Sequence, residues 1–300
     1  MTEPATPPPA DSPARAEGPA APAAPARKEK EESFLVFLLK LVVLVAVFRS
    51  FIFSPFNIPS ESMLPRLVNG DYLLAAKWPY GFSSYSLPFS VPLLPGRMLA
   101  HQPVRGDVVI FKAPPANEQD WIKRVIGLPG DIVQMQNGVL YLNGKAIPKV
   151  KIEDFEIAVS ANTSCYQPHY TQGLNYEVVK PDGSPNGRHV CRYPQYRETL
   201  PAEDGRPAKS FNVLDLEQTP QDNTPPYLVP EGSLFLMGDD RDNSMDSRFS
   251  TIEGGIGMVP QANLVGRATI VMWSTDGGAQ WYAPWTWFTS ARWRRIGGLF

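Results

Sequence analysis

The sequence predicts a mainly β protein: an antiparallel β-sheet core, interrupted by an inserted second β-rich subdomain and preceded by one N-terminal transmembrane helix. Three observations predict it. A continuous apolar run lies near the N-terminus, short apolar segments punctuated by turn dipeptides follow it, and the middle of the chain changes composition before those segments resume.

With 300 residues, 43% of them hydrophobic, the chain can bury a core. Its 28 basic and 30 acidic residues leave a formal charge of -2, without the broad basic surface that a phosphate backbone requires, so no nucleic-acid partner is expected. Cys165 and Cys191 share no CxxC spacing and have no zinc-type ligand set beside them, so no metal is expected.

Residues 1–32 are mostly Pro and Ala with scattered charge and cannot bury enough apolar area to offset ordering entropy, which predicts a disordered tail. An anchor follows over 33–53. From Phe34 to Phe53 only Lys40, Arg49 and Ser50 are not apolar. A basic residue costs roughly 2.5 to 3.5 kcal/mol at mid-membrane against about 0.3 to 0.6 returned by each large apolar one. The 17 apolar residues outweigh two off-centre charges that can snorkel. A cleaved signal peptide would want a small-x-small site after the run, and Ser50-Phe51-Ile52-Phe53-Ser54-Pro55 offers none. Arg15, Arg27, Lys28 and Lys30 precede the span while Arg66 stands alone in the twenty residues after it, which predicts a cytoplasmic N-terminus and an external remainder. That compartment permits a Cys165–Cys191 bridge; two unpaired thiols are the alternative.

The first part of the core runs over 54–150. Val108–Phe111 and Trp121–Ile126 read as strands, and Val133–Ile147 carries Asn137-Gly138 and Asn143-Gly144, two hairpin turn signals. From 151 to 231 the chain is richer in Pro, Asn, Gln and Gly and holds both cysteines, which reads as an insertion. The core resumes over 232–275. The last segment, 276–300, interleaves Trp281, Tyr282, Trp285, Trp287, Phe288 and Trp293 with Arg292, Arg294 and Arg295. It suits the headgroup region of a bilayer, and a packed β edge with core tryptophans is the alternative.

Three segments could carry chemistry. Pro59-Ser60-Glu61-Ser62-Met63-Leu64-Pro65 sets two hydroxyls between prolines, a pattern more often belonging to turns and caps. None of His101, His169 and His189 sits in an apolar strand beside an acid, which leaves a Ser-His-Asp arrangement without a candidate. Lys123 shares a strand face with Trp121 and Val125, so its amine is aimed at apolar surroundings that disfavour the charge. A lysine so depressed can act as a general base; on an inverted edge strand it would instead face solvent. Gly238–Arg248 is acidic, but an EF-hand loop from Asp240 would need Gly at Met245 and Glu at Thr251, so calcium is rejected and a loop held by Asp–Arg pairs remains.

Together, Pro59–Pro65, Ile122–Asp131, and Gly238–Arg248 followed by Asn263-Leu264-Val265-Gly266-Arg267-Ala268 resemble type I signal peptidases, the membrane-bound serine proteases that remove signal peptides. The resemblance spans roughly residues 52–273 and covers the middle insertion in position only. It implies Ser62 as nucleophile, Lys123 as general base, and the Ser60 hydroxyl with the Ser62 backbone N–H as oxyanion hole. Ser244 would orient the lysine, with Asp246 and Arg248 as a supporting ion pair. An extended substrate would add as a strand beside Phe56, Ile58 and Pro59 on one side and Asp120, Trp121 and Ile122 on the other, with Met63 also toward the substrate. Small residues, usually Ala, would be selected at the first and third positions before the cut. The implied partners are signal-peptide-bearing preproteins and the phospholipid bilayer; no cofactor is implied, and a monomer at the bacterial inner membrane with a periplasmic catalytic domain is expected. Arg66 stands where Thr is common, Asp240 where Asn is common, Ser250–Gly257 is longer than in the shortest members, and only one anchor is evident where some members have two. A self-cleaving repressor-like Ser/Lys protease would cut itself at Ala-Gly or Cys-Gly, and the chain holds neither dipeptide. A non-catalytic membrane-tethered β adaptor is the remaining alternative.

Overall fold

Why the apolar run stops being a helix sets the start of everything that follows. The computed structural model describes residues 33–87, 90–92, 94, 96–181, 187–203 and 205–300, so the Pro/Ala tail expected over 1–32 lies outside the described residues. Helix α1 spans Phe34–Phe51. Its 18 residues rise about 27 Å, and it is the one described helix long and apolar enough to cross a membrane by length and composition. It ends two residues before the apolar run does. Pro55 disfavours the helical conformation for Ser54, and Phe53 pairs with Ala76 instead. The Ser54 hydroxyl donates to the carbonyl of Arg49 (2.7 Å), a group the ending helix leaves without an intrahelical partner, and the Ser50 hydroxyl bonds back to the Ala46 carbonyl (2.6 Å).

Beyond α1 the chain is mostly strand. First come β1 (Phe53–Asn57), β2 (Asp71–Ala76), β3 (Val108–Lys112) and β4 (Asp120–Gly127). Next are β5 (Ile132–Gln136), β6 (Val139–Leu142) and β7 (Lys145–Ala146). Asn137 (φ 47°) with Gly138 (φ 73°), and Asn143 (φ 54°) with Gly144 (φ 75°), place positive φ at both turn positions, as two-residue hairpins that match strand twist require. The middle stretch contributes β8 (Lys149–Lys151), β9 (Phe155–Ala158), β10 (Glu177–Lys180), β11 (Arg188–Tyr193), β12 (Gln195–Leu200), β13 (Lys209–Leu214) and β14 (Tyr227–Leu228). Then follow β15 (Ser233–Met237), β16 (Val259–Pro260) and β17 (Leu264–Ser274), and a short α2 (Trp285–Thr289).

The main sheet is antiparallel and curled, with strand order β1-β2-β17-β3-β4-β15-β16. One consequence matters for function. β4 pairs with β3 along Asp120–Arg124, but β15 joins its other edge only from Arg124 onward, so the outer edge of Asp120–Lys123 is unpaired. β1 pairs only with β2 and also keeps a free edge.

The middle stretch differs in composition but not in packing. It forms two three-stranded sheets, β10-β11-β9 and β13-β12-β8. Yet its Leu200, Phe211 and Val213 share one apolar cluster with Ile126, Val133 and Phe235, and β14 pairs with β5. Residues 42–300 accordingly form one compact unit. Cys165 and Cys191 are joined in a disulfide beside Tyr166, Tyr176 and Tyr193. At the C-terminus the reading of packed core tryptophans does not hold: Trp281 (84% exposed), Trp285 (69%) and Phe288 (65%) face outward.

Candidate active site

Ser62 is held by the residues after it. Met63 inserts into a cluster with Ile58, Leu73, Ile110 and Ile122, while Leu64 enters the one around the disulfide, so the turn is pinned at both sides of the sheet. Backbone bonds from Leu64 N–H to Glu61 O (2.9 Å) and from Leu67 N–H to Met63 O (2.8 Å) tighten it. Ser62 stands at the mouth, and Ser60 Oγ lies 3.5 Å from Ser62 Oγ. The burial of Met63 places it beneath the groove rather than on its wall.

Lys123 arrives from β4. Register pairs it with Val109 of β3, and its side chain turns inward to a site where the residue is 3% exposed. Its Nζ donates to Ser62 Oγ at 2.5 Å and sits 5.6 Å from the Trp121 ring centre. Burial pushes the amine down to about 8, against the opposing pull of Asp246, Asp239 and Asp240. Desolvation therefore outweighs three nearby acids, and a usable fraction of neutral amine is present near neutral pH.

The loop after β15 closes the far side. Asp246 accepts from Arg248 Nε (2.9 Å) and from the Gly238 N–H (3.0 Å), and both side chains are fully buried. Burial alone would raise the Asp246 carboxyl, but Arg248 outweighs it and holds it below the usual carboxylate range. Ser244 is buried at the Ser62 segment, yet its Oγ has no hydrogen-bond partner, so the bond to Lys123 that the resemblance implies is not made. Asp240, which stands where Asn is common, donates its N–H to Ser62 O (3.2 Å). Burial pushes its carboxyl well up, with Asp242 and Glu61 adding to the effect, which favours the neutral acid that Asn resembles in shape.

Two buried pairs escaped the sequence reading. Arg124, on the opposite face of β4 from Lys123, is bidentate to Asp239 (2.6 and 2.5 Å), and Arg241 binds Glu198 (2.6 Å). Strand alternation could have signalled the first, since a second cation turned into a core must find an acid.

A groove of about 370 Å³ opens above Ser62 and Lys123. Phe56, Ile58, Pro59 and Ser60 form one wall and Asp120, Trp121 and Ile122 the other. Asn57, in the segment expected beside the substrate, also lines it, as do Ile110, Gln119, Asn243 and Met245, which sequence reading had not included. For metals, Asp215, Asp222 and Asp242 are the described group whose carboxylate oxygens lie within 4.8 Å of one another. Asp242 is already engaged by the Leu216 and Glu217 N–H groups, and Lys149 pairs with Asp215.

Comparison with known proteins adds an independent finding. The family described as "Signal peptidase, peptidase S26" matches residues 32–273. Signal peptidase I of Rickettsia typhi is 33% identical over 235 residues, covering 76% of this chain and 75% of that protein. Signal peptidase I of Rickettsia conorii is 35% identical over 231 residues, covering 76% and 74%. Among solved structures, a signal peptidase I from Enterococcus faecalis V583 is similar at 23% identity with a TM-score of 0.26, covering 56% of this chain and 97% of that one.

Proposed function

The chain belongs to the S26 signal peptidase family of serine endopeptidases, and on that premise we propose that it removes signal peptides by acyl-enzyme hydrolysis through Ser62 and Lys123. The observation that carries this reading is the buried 2.5 Å contact between Lys123 Nζ and Ser62 Oγ, together with an amine lowered to about 8. Neutral Lys123 takes the Ser62 proton as Oγ attacks the scissile carbonyl carbon. The Ser60 hydroxyl and the Ser62 N–H stabilise the tetrahedral oxyanion, a donor pair in which losing one member costs about 100-fold to 1000-fold in rate. The Lys123 ammonium then protonates the leaving amine. Water, deprotonated by the same lysine, releases the acyl group and restores Ser62. Asp246 and Arg248 hold the loop behind the lysine as a buried ion pair, and Ser244 lies on that loop without a bond to Lys123.

The substrate enters extended. The free edges of β1 and of Asp120–Lys123 offer backbone donors and acceptors to a strand laid between them. Ile58 and Ile122, both nearly buried, leave shallow apolar floors that admit small side chains, which supports cleavage after a small-x-small site. Helix α1 anchors the protein in the bacterial inner membrane. The basic residues before it keep the N-terminus cytoplasmic, so the catalytic domain faces the periplasm.

The test uses purified full chain and a preprotein carrying an Ala-x-Ala site. Ser62→Ala is expected to abolish cleavage with an unchanged melting temperature; retained cutting would remove Ser62 as the nucleophile, and a wild-type protein that does not cut would leave the adaptor reading standing.

A further inference from the structure

On the face of β4 opposite Lys123 lies a cavity of about 710 Å³ that the proposed chemistry does not use. Neighbouring residues on a strand point to opposite faces, so Lys123 serves the groove and Arg124 this second space. Its walls carry Arg66, Arg124, Arg197, Lys209, Arg267 and Arg295 against one acidic side chain, Asp107. Three of these cations are spoken for. Arg124 is paired with Asp239, Lys209 with Asp107 (3.2 Å) and Arg295 with Asp71 (2.6 Å).

Arg66, Arg197 and Arg267 are different. Among the described residues no carboxylate lies within 4.0 Å of any of them. Arg66 rests over the Phe300 ring (4.8 Å to its centre), and Arg197 Nε donates only to Asn212 Oδ1 at 3.3 Å. Phe155 and Phe211 add apolar surface to its wall. Burial pushes the Arg66 guanidinium below its ordinary range, with the positive charges of Arg124 and Arg295 adding to the effect and the Asp239 carboxylate opposing it. Like charges crowded around a cavity repel one another unless a counter-charge sits among them, and the guanidinium fork matches tetrahedral oxyanions better than any other side chain.

We propose that this cavity is a binding site for a phosphate-type oxyanion, held by the guanidinium groups of Arg66, Arg197 and Arg267. The phosphate of an anionic lipid headgroup and that of a free phosphate ester share this chemistry. The lipid source has a structural route to the site, because Arg295 and Phe300 on the wall belong to the same C-terminal segment that exposes Trp281, Trp285 and Trp293. The proposal stands independently of the Ser62–Lys123 reading.

The experiment titrates the full chain in nonionic detergent with three probes: inorganic phosphate, dihexanoylphosphatidylglycerol and dihexanoylphosphatidylcholine, the latter two below their micellar range. Binding is followed by phosphorus NMR line broadening. Saturable binding of phosphate or phosphatidylglycerol is expected, weakened by salt and reduced about tenfold or more in each of R66Q, R197Q and R267Q. Phosphate binding alone assigns a free anion, and phosphatidylglycerol binding alone assigns a headgroup; both sustain the site. Because none of the three arginines neutralises a carboxylate, melting temperature and preprotein cleavage should stay near wild type. Should R267Q fail to fold, R66Q and R197Q, at exposed positions, still decide the matter. Absence of saturable binding, binding undiminished in the variants, or equal affinity for phosphatidylcholine would each overturn the proposal.

Discussion

Replacing Lys123 by Met should make the protein more stable and inactive at once. The substitution removes a charge from a site that is 3% exposed and leaves an unbranched apolar chain of similar length. The amine is lowered from the ordinary 10.5 to about 8, with burial as the largest cause. At roughly 1.4 kcal/mol for each unit, holding the ammonium in the folded site costs on the order of 3 kcal/mol. Below pH 8 the amine is protonated in both folded and unfolded chains, and the folded state carries the whole penalty. Between about 8 and 10.5 the unfolded chain binds more protons than the folded one, so the native protein gains stability as pH rises through that window. Losing the hydrogen bond to Ser62 offsets about 1 kcal/mol. Lys123→Met should therefore gain about 2 kcal/mol at pH 7, and the gain should vanish toward pH 10.5. Preprotein cleavage should fall at least about 100-fold to 10000-fold, the usual worth of a general base.

Urea unfolding followed by tryptophan fluorescence at several pH values, beside cleavage rates, checks both halves. Lys77→Met is the control. Lys77 is also 3% exposed and lowered to about 8 by burial, but it does not touch Ser62, so its replacement should stabilise the protein similarly and leave cleavage intact. A Lys123→Met protein that is less stable than wild type at pH 7, or whose gain is the same at every pH, would refute the desolvation argument. Activity in that variant would refute the base.

Three further outcomes are expected. Cleavage, measured as kcat/KM, should rise about tenfold from pH 7 to 9 with a midpoint near 8 as Lys123 loses its proton, whereas a flat profile would exclude it as the titrating group. Gly238→Ala would set a methyl group against Ser244 Oγ and 2.5 Å from Ser62 O, and the displacement should cost about 100-fold in kcat/KM; wild-type rates would mean that the loop yields. The Cys165→Ala, Cys191→Ala double variant loses a crosslink between cysteines 26 residues apart and should lose about 3 to 4 kcal/mol of unfolding free energy, while still cutting a short peptide well below its melting temperature.

The parts legible in the sequence are those whose physics is local. An apolar run near 20 residues can be read because hydrocarbon thickness sets its length, and Asn137-Gly138 and Asn143-Gly144 announce hairpins because few residues accept positive φ. The alternation through Trp121–Ile126 placed Lys123 on an apolar face. Ser62 and Lys123 could be named from their motifs, but their meeting, across 61 positions of chain, belongs to the packing of Met63 and Leu64 into separate clusters and to the β3–β4 register.

Composition marked the 151–231 stretch as an insertion but said nothing of how it packs: Leu200, Phe211 and Val213 complete a core begun by Ile126 and Val133. A few buried side chains per strand suffice for that, and they barely alter an average. The arginines show the same division. Arg66, Arg197 and Arg267 are scattered along a chain of nearly balanced charge, and only the curled sheet gathers them around one cavity. Sequence alone determined the apolar helix, the strands around Lys123, the two Asn-Gly hairpins and which residue types were on hand for chemistry. Tertiary structure decided which charges would lose their water and which would keep company, because desolvation and Coulomb energy depend on distances that no local pattern encodes.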